Sequence, residues 1–405
     1  MLSRREFFRR SSLIALAPVV PGFLAHTARA AEPKRDTRIL IVIQLDGGND
    51  GINTVVPFAD TGYAKYRRLL FQRKDSLVKI NDRVGLHPAL KDVAKLLEDG
   101  RLAIVQGVGY PNPSRSHFQS MAIWHTARFD VEDRPNEVLS NRVGWIGRAL
   151  DAAKPADGIT GAVYVGAGTL PAAVRARRAT VSSLTHPKDF VLAPEVKVKP
   201  TSPARDEQED LAAFVRRNAL DAYATADRMA EVMLAEGSGT RYPATQLAAD
   251  LRLIARLIKA NTGTRVFYAR QPGYDTHSAQ ANTHYGLMSE LGGALKALHD
   301  DLSASQLTDR VAVMAFSEFG RTVAENVSGG TDHGTAGPVF VLGPKLAGPL
   351  IGDTPSLTDL DPKHGDLRVG LDFRQVYATL LDDWLGLPAE AALSQKFERL
   401  SLFRS

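Results

Sequence analysis

Short apolar runs alternate along the chain with stretches whose apolar residues recur at helical spacing. Residues 38–45, RILIVIQL, are rich in β-branched side chains and apolar on both faces, which is typical of a strand buried in a parallel sheet. Residues 88–98 have a helical pattern that stops at an Asp-Gly pair, and residues 101–106 indicate a second strand. This alternation predicts an α/β domain with a parallel sheet.

The same alternation continues towards the C-terminus. It predicts helix 116–126, strand 162–165, helices 206–235 and 244–260, strand 265–269, helix 286–302, strands 310–316 and 339–342, and helix 373–384. Residues 194–203, PEVKVKPTSP, indicate an exposed linker. Polar loops follow three of the predicted strands, at Asp46, Asp275 and Glu318. Because open α/β sheets bind ligands at the carboxyl ends of their strands, we predict a site at this edge.

The first thirty residues have the pattern of a twin-arginine export signal. Arg4 and Arg5 precede an apolar run from Leu13 to Leu24, and small residues after it predict cleavage after Ala30. Proline and glycine interrupt the run well short of the ~20 apolar residues of a membrane-spanning helix. We therefore expect a periplasmic or secreted protein, which meets the twin-arginine translocase during export and has no membrane span after cleavage, rather than a cytoplasmic or anchored one.

Charge and composition narrow the classes of function. The signal holds five arginines and one glutamate, so it carries most of the formal net charge of +5, and the remainder gives no argument for nucleic-acid binding. The chain has no cysteine, so any metal must be held by carboxylate, imidazole, hydroxyl or amide groups. Residues 31–405 would suit one large or two ordinary domains; we predict a single domain with a helical insertion around 201–260.

Two of the strand-end loops contain candidate metal ligands. Gly47 and Gly48 follow Asp46 and leave room for a cation near the backbone, although a turn aspartate is the simpler interpretation of Asp46 alone. Asp275 and His277 in GYDTH are two residues apart, so both can face one point only if the segment is extended or looped. The alternative is a helix N-cap with an exposed His277.

The loop between the strands predicted at 310–316 and 339–342 carries adjacent ionisable residues, Asp332 and His333. Loops of about twenty residues are uncommon in compact domains unless they are functional or disordered, so we interpret the pair as functional rather than as a solvated turn. Arg321 in SEFGRT is a candidate for binding an anionic substrate, or simply an ion-pair partner of Glu318.

The segment NPSRSHF places hydroxyl groups at a predicted helix start, where unpaired N–H groups favour an anion. Capping is the default interpretation of Ser114 and Ser116. Either could be a nucleophile, Ser116 being our choice, with Arg115 binding substrate and His117 acting as acid or base. The chain has no G-x-S-x-G, Walker or H-E-x-x-H motif.

Eight segments together resemble a known exported family, domain of unknown function 1501, over nearly all of residues 31–405. They are LDGGNDGINTVVP, HPAL, PNPSRSHFQSM, GWIGRAL, GYDTHSAQ, SEFGRT, GTDHG and DFRQVYATLLDDWLG. That family resembles a branch of the alkaline phosphatase and sulfatase superfamily. The resemblance implies an alkaline phosphatase-like three-layer α/β sandwich with a central, mostly parallel sheet and one or two divalent metals at its carboxyl edge.

The resemblance also implies roles for single residues. Asp46, Asp275, His277 and His333 match metal-binding positions, and Glu318 stands where many members have a ligand aspartate. Apart from the resemblance, we take Asp332 as a candidate that either binds the metal or supports a ligand. The segment Ser114–His117 falls where the nucleophile begins its helix. The implied metal is zinc, calcium, magnesium or manganese.

Three departures from the superfamily pattern are visible. Phe319 stands where many members have a histidine ligand, and Asp275 and His277 are more closely spaced than usual. Pro111 stands at the nucleophile position of the sulfatase signature, which argues against formylglycine chemistry. We expect an exported metal-dependent hydrolase or transferase for a small phosphate or sulfate ester. The alternative, favoured by Phe319 and Pro111, is a catalytically degenerate exported binding or assembly protein on the same fold.

Overall fold

The structure, a computed structural model, describes residues 37–131, 136, 142–153, 161–179, 181–185 and 239–404. Its strands are β1 (Ile39–Asp46), β2 (Val55–Val56), β3 (Val78–Lys79), β4 (Gly85–Leu86), β5 (Leu102–Gly109), β6 (Ala162–Val165), β7 (Val181–Leu184), β8 (Val266–Pro272), β9 (Val311–Phe316), β10 (Gly337–Leu342), β11 (Leu350–Ile351) and β12 (Leu371–Asp372). Its helices are α1 (Gly51–Thr54), α2 (Thr61–Tyr66), α3 (Ala94–Glu98), α4 (His117–Thr126), α5 (Trp145–Ala152), α6 (Gln246–Lys259), α7 (Gln280–Ala304), α8 (Phe373–Thr379) and α9 (Ala389–Leu393).

The central sheet has nine strands in the order β11-β5-β10-β9-β1-β8-β6-β7, with β12 also paired to β5. Its pairs are parallel except for those that β10 makes with β5 and β9, which are antiparallel. The predicted α/β fold with a mostly parallel sheet is therefore confirmed. The exception matters because it brings the start of β10 to the edge where β5, β9, β1 and β8 end.

The alternating side chains of β1 show why the sheet is covered on both faces. Ile41 and Ile43 pack into the core on the side of α6 and α7, whereas Leu40 and Val42 pack on the side of α4, α5 and α8. All four are fully buried. Burial of both faces explains the unbroken apolar run of this strand and gives three layers, as expected.

Helix α7 begins at Gln280, six residues before the predicted start at Gly286. Its first turns carry Gln280 and His284 on one buried face, and these side chains bond to polar groups of the turn after β1. A search for apolar periodicity misses such turns because the buried face is polar. The region predicted as helix 88–98 is a 3-10 helix, Pro88–Val93, followed by α3.

Several sequence-based predictions concern residues outside the described ranges. These are the export signal in residues 1–30, the linker 194–203, the helix 206–235 and thus most of the insertion around 201–260. The described end of that insertion contains α6, whose apolar stripe packs directly on the sheet. Within the described residues, no helix has both the length and the apolar character needed to cross a membrane.

Candidate metal centre

Four strand ends bring distant segments of the chain to one edge of the sheet. The loop after β8 carries Asp275 and His277, and α4 begins at His117 after the loop that follows β5. The loop between β9 and β10 folds back on itself as a small hairpin, with Arg321 bridged to His333 and Thr322 N donating to Asp332 O at 3.0 Å.

Three imidazole rings converge on one carboxylate oxygen. Asp275 Oδ1 lies 3.0 Å from His277 Nε2, 3.2 Å from His333 Nε2 and 3.4 Å from His117 Nε2. The Nε2 atoms of His277 and His333 are 2.9 Å apart. We call these four residues the ligand cluster; the donor atoms of His117, Asp275 and His333 all lie within 4.8 Å of one another.

The opposite nitrogen of each ring faces an oxygen acceptor. The Nδ1 contacts are Glu318 Oε1 at 2.8 Å from His117, Asp332 Oδ1 at 3.0 Å from His277, and the Arg115 carbonyl oxygen at 2.6 Å from His333. A carbonyl or an ionised carboxylate only accepts hydrogen bonds, so each Nδ1 carries a hydrogen and donates it. In the neutral rings all three Nε2 atoms therefore present lone pairs to the centre of the cluster.

This arrangement fits a bound cation. Two imidazole lone pairs at 2.9 Å repel each other unless a proton or a metal ion lies between them. His117 Nε2 is buried and makes no hydrogen bond. Donor atoms about 2.1 Å from a tetrahedral zinc ion lie about 3.4 Å from one another, close to the distances from Asp275 Oδ1 to the three rings and between His277 and His333. Second-sphere acceptors behind each imidazole are a usual feature of protein metal sites.

Local electrostatics keep the cluster carboxylate ionised. Burial alone would raise the pKa of Asp275, but the hydrogen bond and the positive charge of Arg321 hold it far below its usual range. The hydrogen bond to Glu318 raises the pKa of His117, whereas burial lowers that of His333. An anionic Asp275 beside these imidazoles is the charge state that a divalent cation requires.

Glu318 and Asp332 lie behind the rings rather than among the converging atoms. Glu318 is 2% exposed, and its Oε1 accepts from Gly47 N at 2.9 Å as well as from His117. The expectation that Glu318 is itself a ligand is corrected by this placement, because its carboxylate is committed to orienting His117. Asp332 Oδ1 accepts from His277 Nδ1 in the same way.

Asp46 is at the predicted strand end but its carboxylate is not part of the cluster. Arg270 Nε donates to Asp46 Oδ2 at 2.8 Å, and Gln44 Nε2 donates to Oδ1. Burial raises the pKa of Asp46, and the charge of Arg270 opposes this. Arg270, on the neighbouring strand, thus takes the position beside Asp46 that was expected for a cation.

Arg321 cannot reach a substrate in this structure because its side chain is fully buried. It donates to the carbonyl oxygens of Gly48 at 2.7 Å, Thr331 at 2.9 Å and Tyr274 at 2.9 Å, and to Asp275 Oδ1 at 2.8 Å. Its role is to tie the loops after β1 and β8 to the hairpin. The predicted substrate contact is corrected on this ground.

The segment from Ser114 to His117 lies directly beside the cluster. Ser114 Oγ donates to Gln119 Oε1 at 2.6 Å and accepts from Ser116 N at 3.1 Å, so Ser114 is occupied in shaping the turn. Ser116 precedes α4 and its side chain makes no capping hydrogen bond. The Arg115 guanidinium is paired with Asp366, not turned to the cluster.

His117 lies among the converging atoms of the site, a position that the sequence did not lead us to expect. We expected it to act as an acid or base, whereas its Nε2 is one of the converging donors. One feature of the sequence could have indicated this position: His117 is the first residue of a helix that begins at the same edge of the sheet. Phe319, as expected, offers no ligand atom; its ring packs against His117 and His333, with centroids 5.0 and 4.8 Å apart.

Comparisons with known proteins place these features in context. A search of curated proteins found no match. Among solved structures, the chain is similar to the PsFucS1 sulfatase from Pseudoalteromonas sp., at 12% identity over 95% of this chain and 74% of that one, with a TM-score of 0.42. It is also similar to the C-terminal periplasmic domain of EptC from Escherichia coli, at 11% identity over 91% and 90%, with a TM-score of 0.41.

An alkaline phosphatase from the Antarctic bacterium TAB5 is a further similar structure, at 10% identity over 77% of this chain and 93% of that one, with a TM-score of 0.31. Similarities at this level do not establish a shared activity. The family model described as "Protein of unknown function (DUF1501)" matches residues 37–393, which is most of the chain. The protein therefore belongs to the DUF1501 family.

Proposed function

We propose that this protein is an exported, metal-dependent hydrolase or transferase acting on a phosphate or sulfate ester. The observation that carries the proposal is the convergence of three Nε2 atoms on Asp275 Oδ1, with every Nδ1 held by an oxygen acceptor. His117, Asp275, His277 and His333 would hold the ion.

The donor set favours zinc among the divalent metals. Imidazole is a good ligand for zinc, whereas calcium and magnesium prefer six or more oxygen ligands, and the cluster offers three nitrogens and one carboxylate. When bound, a zinc ion would supply Lewis-acid stabilisation of the charge that develops on a phosphoryl or sulfuryl group. Manganese is the next choice because it tolerates mixed nitrogen and oxygen ligands.

Ser116 is the proposed nucleophile. Its hydroxyl is not used for capping, and it stands at the start of a ten-residue helix whose free N–H groups favour an anion. Its neighbours on both sides are tied to the cluster, through the Arg115 carbonyl and the His117 ring. Helix α4 would therefore orient both the nucleophile and the anionic ester.

Export by the twin-arginine route is part of the proposal. It rests on the pattern of residues 1–30, and it would allow the metal to be loaded before the folded protein crosses the membrane. Replacing both Arg4 and Arg5 by lysine should leave the protein in the cytoplasm. Unchanged recovery of that variant from the periplasm would contradict the assigned route.

A metal-binding protein without turnover is the second candidate. The observation that favours it is the number of protein donors, because four ligands saturate a tetrahedral ion, as in structural zinc sites, whereas catalytic sites keep a position open. Phe319, packed against two of the rings, further narrows access to the centre.

The test combines metal content with turnover. Purified protein should contain about one equivalent of metal, and His117→Ala and His333→Ala should lose it. His299→Ala is the matched control, because His299 also contacts a carboxylate, that of Asp300, but contributes to a cavity at the opposite edge of the sheet. Metal-free protein whose zinc affinity is the same in all variants would refute the metal centre.

Aryl phosphate, phosphodiester and aryl sulfate substrates, each assayed with zinc and with manganese, separate the two candidates. We expect turnover of at least one ester class that depends on added metal. Metal-loaded protein that is inactive on every substrate would support the second candidate and contradict the first.

A further inference from the structure

Gln280, the first residue of α7, joins the two loops that carry most of the ligand cluster. Its side chain is completely buried. Its Oε1 accepts a hydrogen bond from Thr331 Oγ1 at 2.6 Å and another from Thr276 Oγ1 at 3.0 Å. Neither threonine belongs to the cluster, but each one adjoins ligand residues in the chain.

Both threonines lie close in the sequence to residues of the ligand cluster. Thr276 lies between Asp275 and His277, and Thr331 immediately precedes Asp332 and His333. A single amide oxygen thus fixes the loop after β8 and the hairpin before β10 at one point. A backbone hydrogen bond from Thr331 N to Thr276 O, at 3.2 Å, also joins these two residues.

A buried ion pair between Asp50 and Arg67 fixes the orientation of the Gln280 amide. Gln280 Nε2 donates to Asp50 Oδ2, and Asp50 is paired with Arg67, both side chains being fully buried. Because a carboxylate paired with arginine only accepts hydrogen bonds, the amide nitrogen must face Asp50, and the amide oxygen is left for the two threonines. Arg67 also donates to the carbonyl oxygens of Thr322 and Val323, in the same hairpin, at 2.9 Å each.

We propose that Gln280 is a positioning residue that holds the two ligand-bearing loops in register for the metal ion. The inference rests on the proposed metal centre, since its purpose is to keep His277 Nε2 and His333 Nε2 facing Asp275. Without the amide, both threonine hydroxyls lose a buried acceptor, and the two loops are held together only by their other contacts, such as those of Arg321 and Asn326.

Gln280→Met tests the inference, because methionine has a similar length and no strong hydrogen-bonding group. We expect the zinc affinity, measured with zinc alone against a competing chelator, to fall about 10-fold to 100-fold. In metal-free protein, amide hydrogen exchange should become faster in both 274–278 and 330–334. Gln106→Met is the matched control: Gln106 is also buried, on β5, and its amide donates to Thr354 Oγ1 at 3.1 Å.

Thr331→Val is a second variant that keeps the side-chain shape and removes only the hydroxyl. It should reproduce part of the loss, and combining it with Gln280→Met should add little, because both changes break the same contact. The visible spectrum of cobalt-substituted protein should change in Gln280→Met and stay unchanged in Gln106→Met.

Unaltered zinc affinity and unaltered exchange in both segments of Gln280→Met would overturn the inference, as would faster exchange in only one of the two segments. Failure of the proposed function gives a different result. If the wild-type protein has no affinity for zinc or manganese, the proposed metal centre is refuted. Amide hydrogen exchange in the metal-free variants then still decides whether Gln280 joins the two loops.

Discussion

Two carboxylates at the centre of the site differ in the ring nitrogen that they face. Asp275 meets the Nε2 side of three imidazoles, whereas Glu318 meets Nδ1 of His117 and also accepts from a backbone N–H group. The first arrangement suits a ligand and the second suits a group that fixes the tautomer of a ligand. The difference lies in ring orientation, which no sequence motif records.

Gly47→Ala should damage the site through backbone geometry alone. Gly47 has φ +118°, and an added Cβ would lie 2.4 Å from Asp275 N. We expect a loss of roughly 1–3 kcal/mol in the free energy of unfolding, together with weaker zinc binding because the Asp275 loop must move. Chemical denaturation and chelator competition measure the two effects.

Gly100→Ala provides the comparison for this substitution. Gly100 also has a positive φ, +65°, but nothing lies within 4 Å of an added Cβ. Its cost in stability should be about 1 kcal/mol, with zinc affinity unchanged. Equal zinc affinities in the two alanine variants would show that Gly47 does not set the position of Asp275.

Ser116→Ala should abolish turnover while leaving the metal in place. Loss of the nucleophile should reduce kcat about 10³-fold or more, and metal content should stay at the wild-type level because Ser116 is not a ligand. Ser114→Ala should have a smaller effect, since that hydroxyl supports the turn. A larger loss in Ser114→Ala than in Ser116→Ala would transfer the nucleophile assignment to Ser114.

The residues that sequence reasoning brought together are those fixed by strand ends. Asp275 and His277 could be predicted to lie at the same edge as Glu318 because parallel strands end side by side, whereas His333 reaches this edge because β10 runs antiparallel. The partners of Asp46 and Arg321 could not. Arg270 reaches Asp46 only through the register of β8 on β1, and Arg321 is buried by carbonyl oxygens from three separate loops.

At the scale of elements, strong apolar patterns predicted the sheet and most of the helices. Strand β1 and helix α6 lie within two residues of their predicted bounds. The antiparallel direction of β10 was not predictable from its apolar run, because direction depends on the path of the preceding loop. Helix α7 was predicted too short because its first turns bury amide and imidazole groups.

Arg67→Met should destabilise the contacts among α1, α2 and the hairpin. Asp50 caps α1 and Arg67 follows α2, and their ion pair is fully buried, so the variant leaves a buried charge without its partner. We expect the free energy of unfolding to fall by about 3–5 kcal/mol. Adding Asp50→Asn should restore part of this loss, because the unpaired charge is then removed.

Denaturant unfolding of the single and double variants measures this coupling. A double variant that is as unstable as the sum of the two single variants would show that Asp50 and Arg67 act independently. Residues at the far edge of the sheet, such as Asp309 paired with Arg101, offer an exposed ion pair whose removal should cost less than about 1 kcal/mol.

For the whole molecule, buried histidines make stability depend on pH. Burial lowers the pKa of His87 to about 3, of His125 to about 3 and of His284 to about 4. Unfolding returns each ring to a pKa of about 6.5, so the unfolded chain binds protons that the folded protein does not. The contribution of these histidines to the free energy of unfolding is complete above about pH 6.5. It is lost as the pH falls towards their pKa values in the folded protein.

At pH 5 the free energy of unfolding should be lower by about 2 kcal/mol for each fully buried imidazole. The measurement uses metal-free protein so that release of the metal does not contribute. His125→Gln should have a shallower decline between pH 7 and pH 5, because glutamine does not titrate and can still donate to Gln44. An identical slope in the variant would exclude His125 as a source of the pH dependence.

The ligand cluster draws on parts of the chain that are far apart, since His117 and Asp275 are separated by 158 positions and His277 and His333 by 56. An ion bound there would act as a cross-link between segments, and closing such long loops is costly in chain entropy for any partly folded form. Release of the ion would then require separation of those segments, so its exchange should be slow and should report on large-scale opening of the protein.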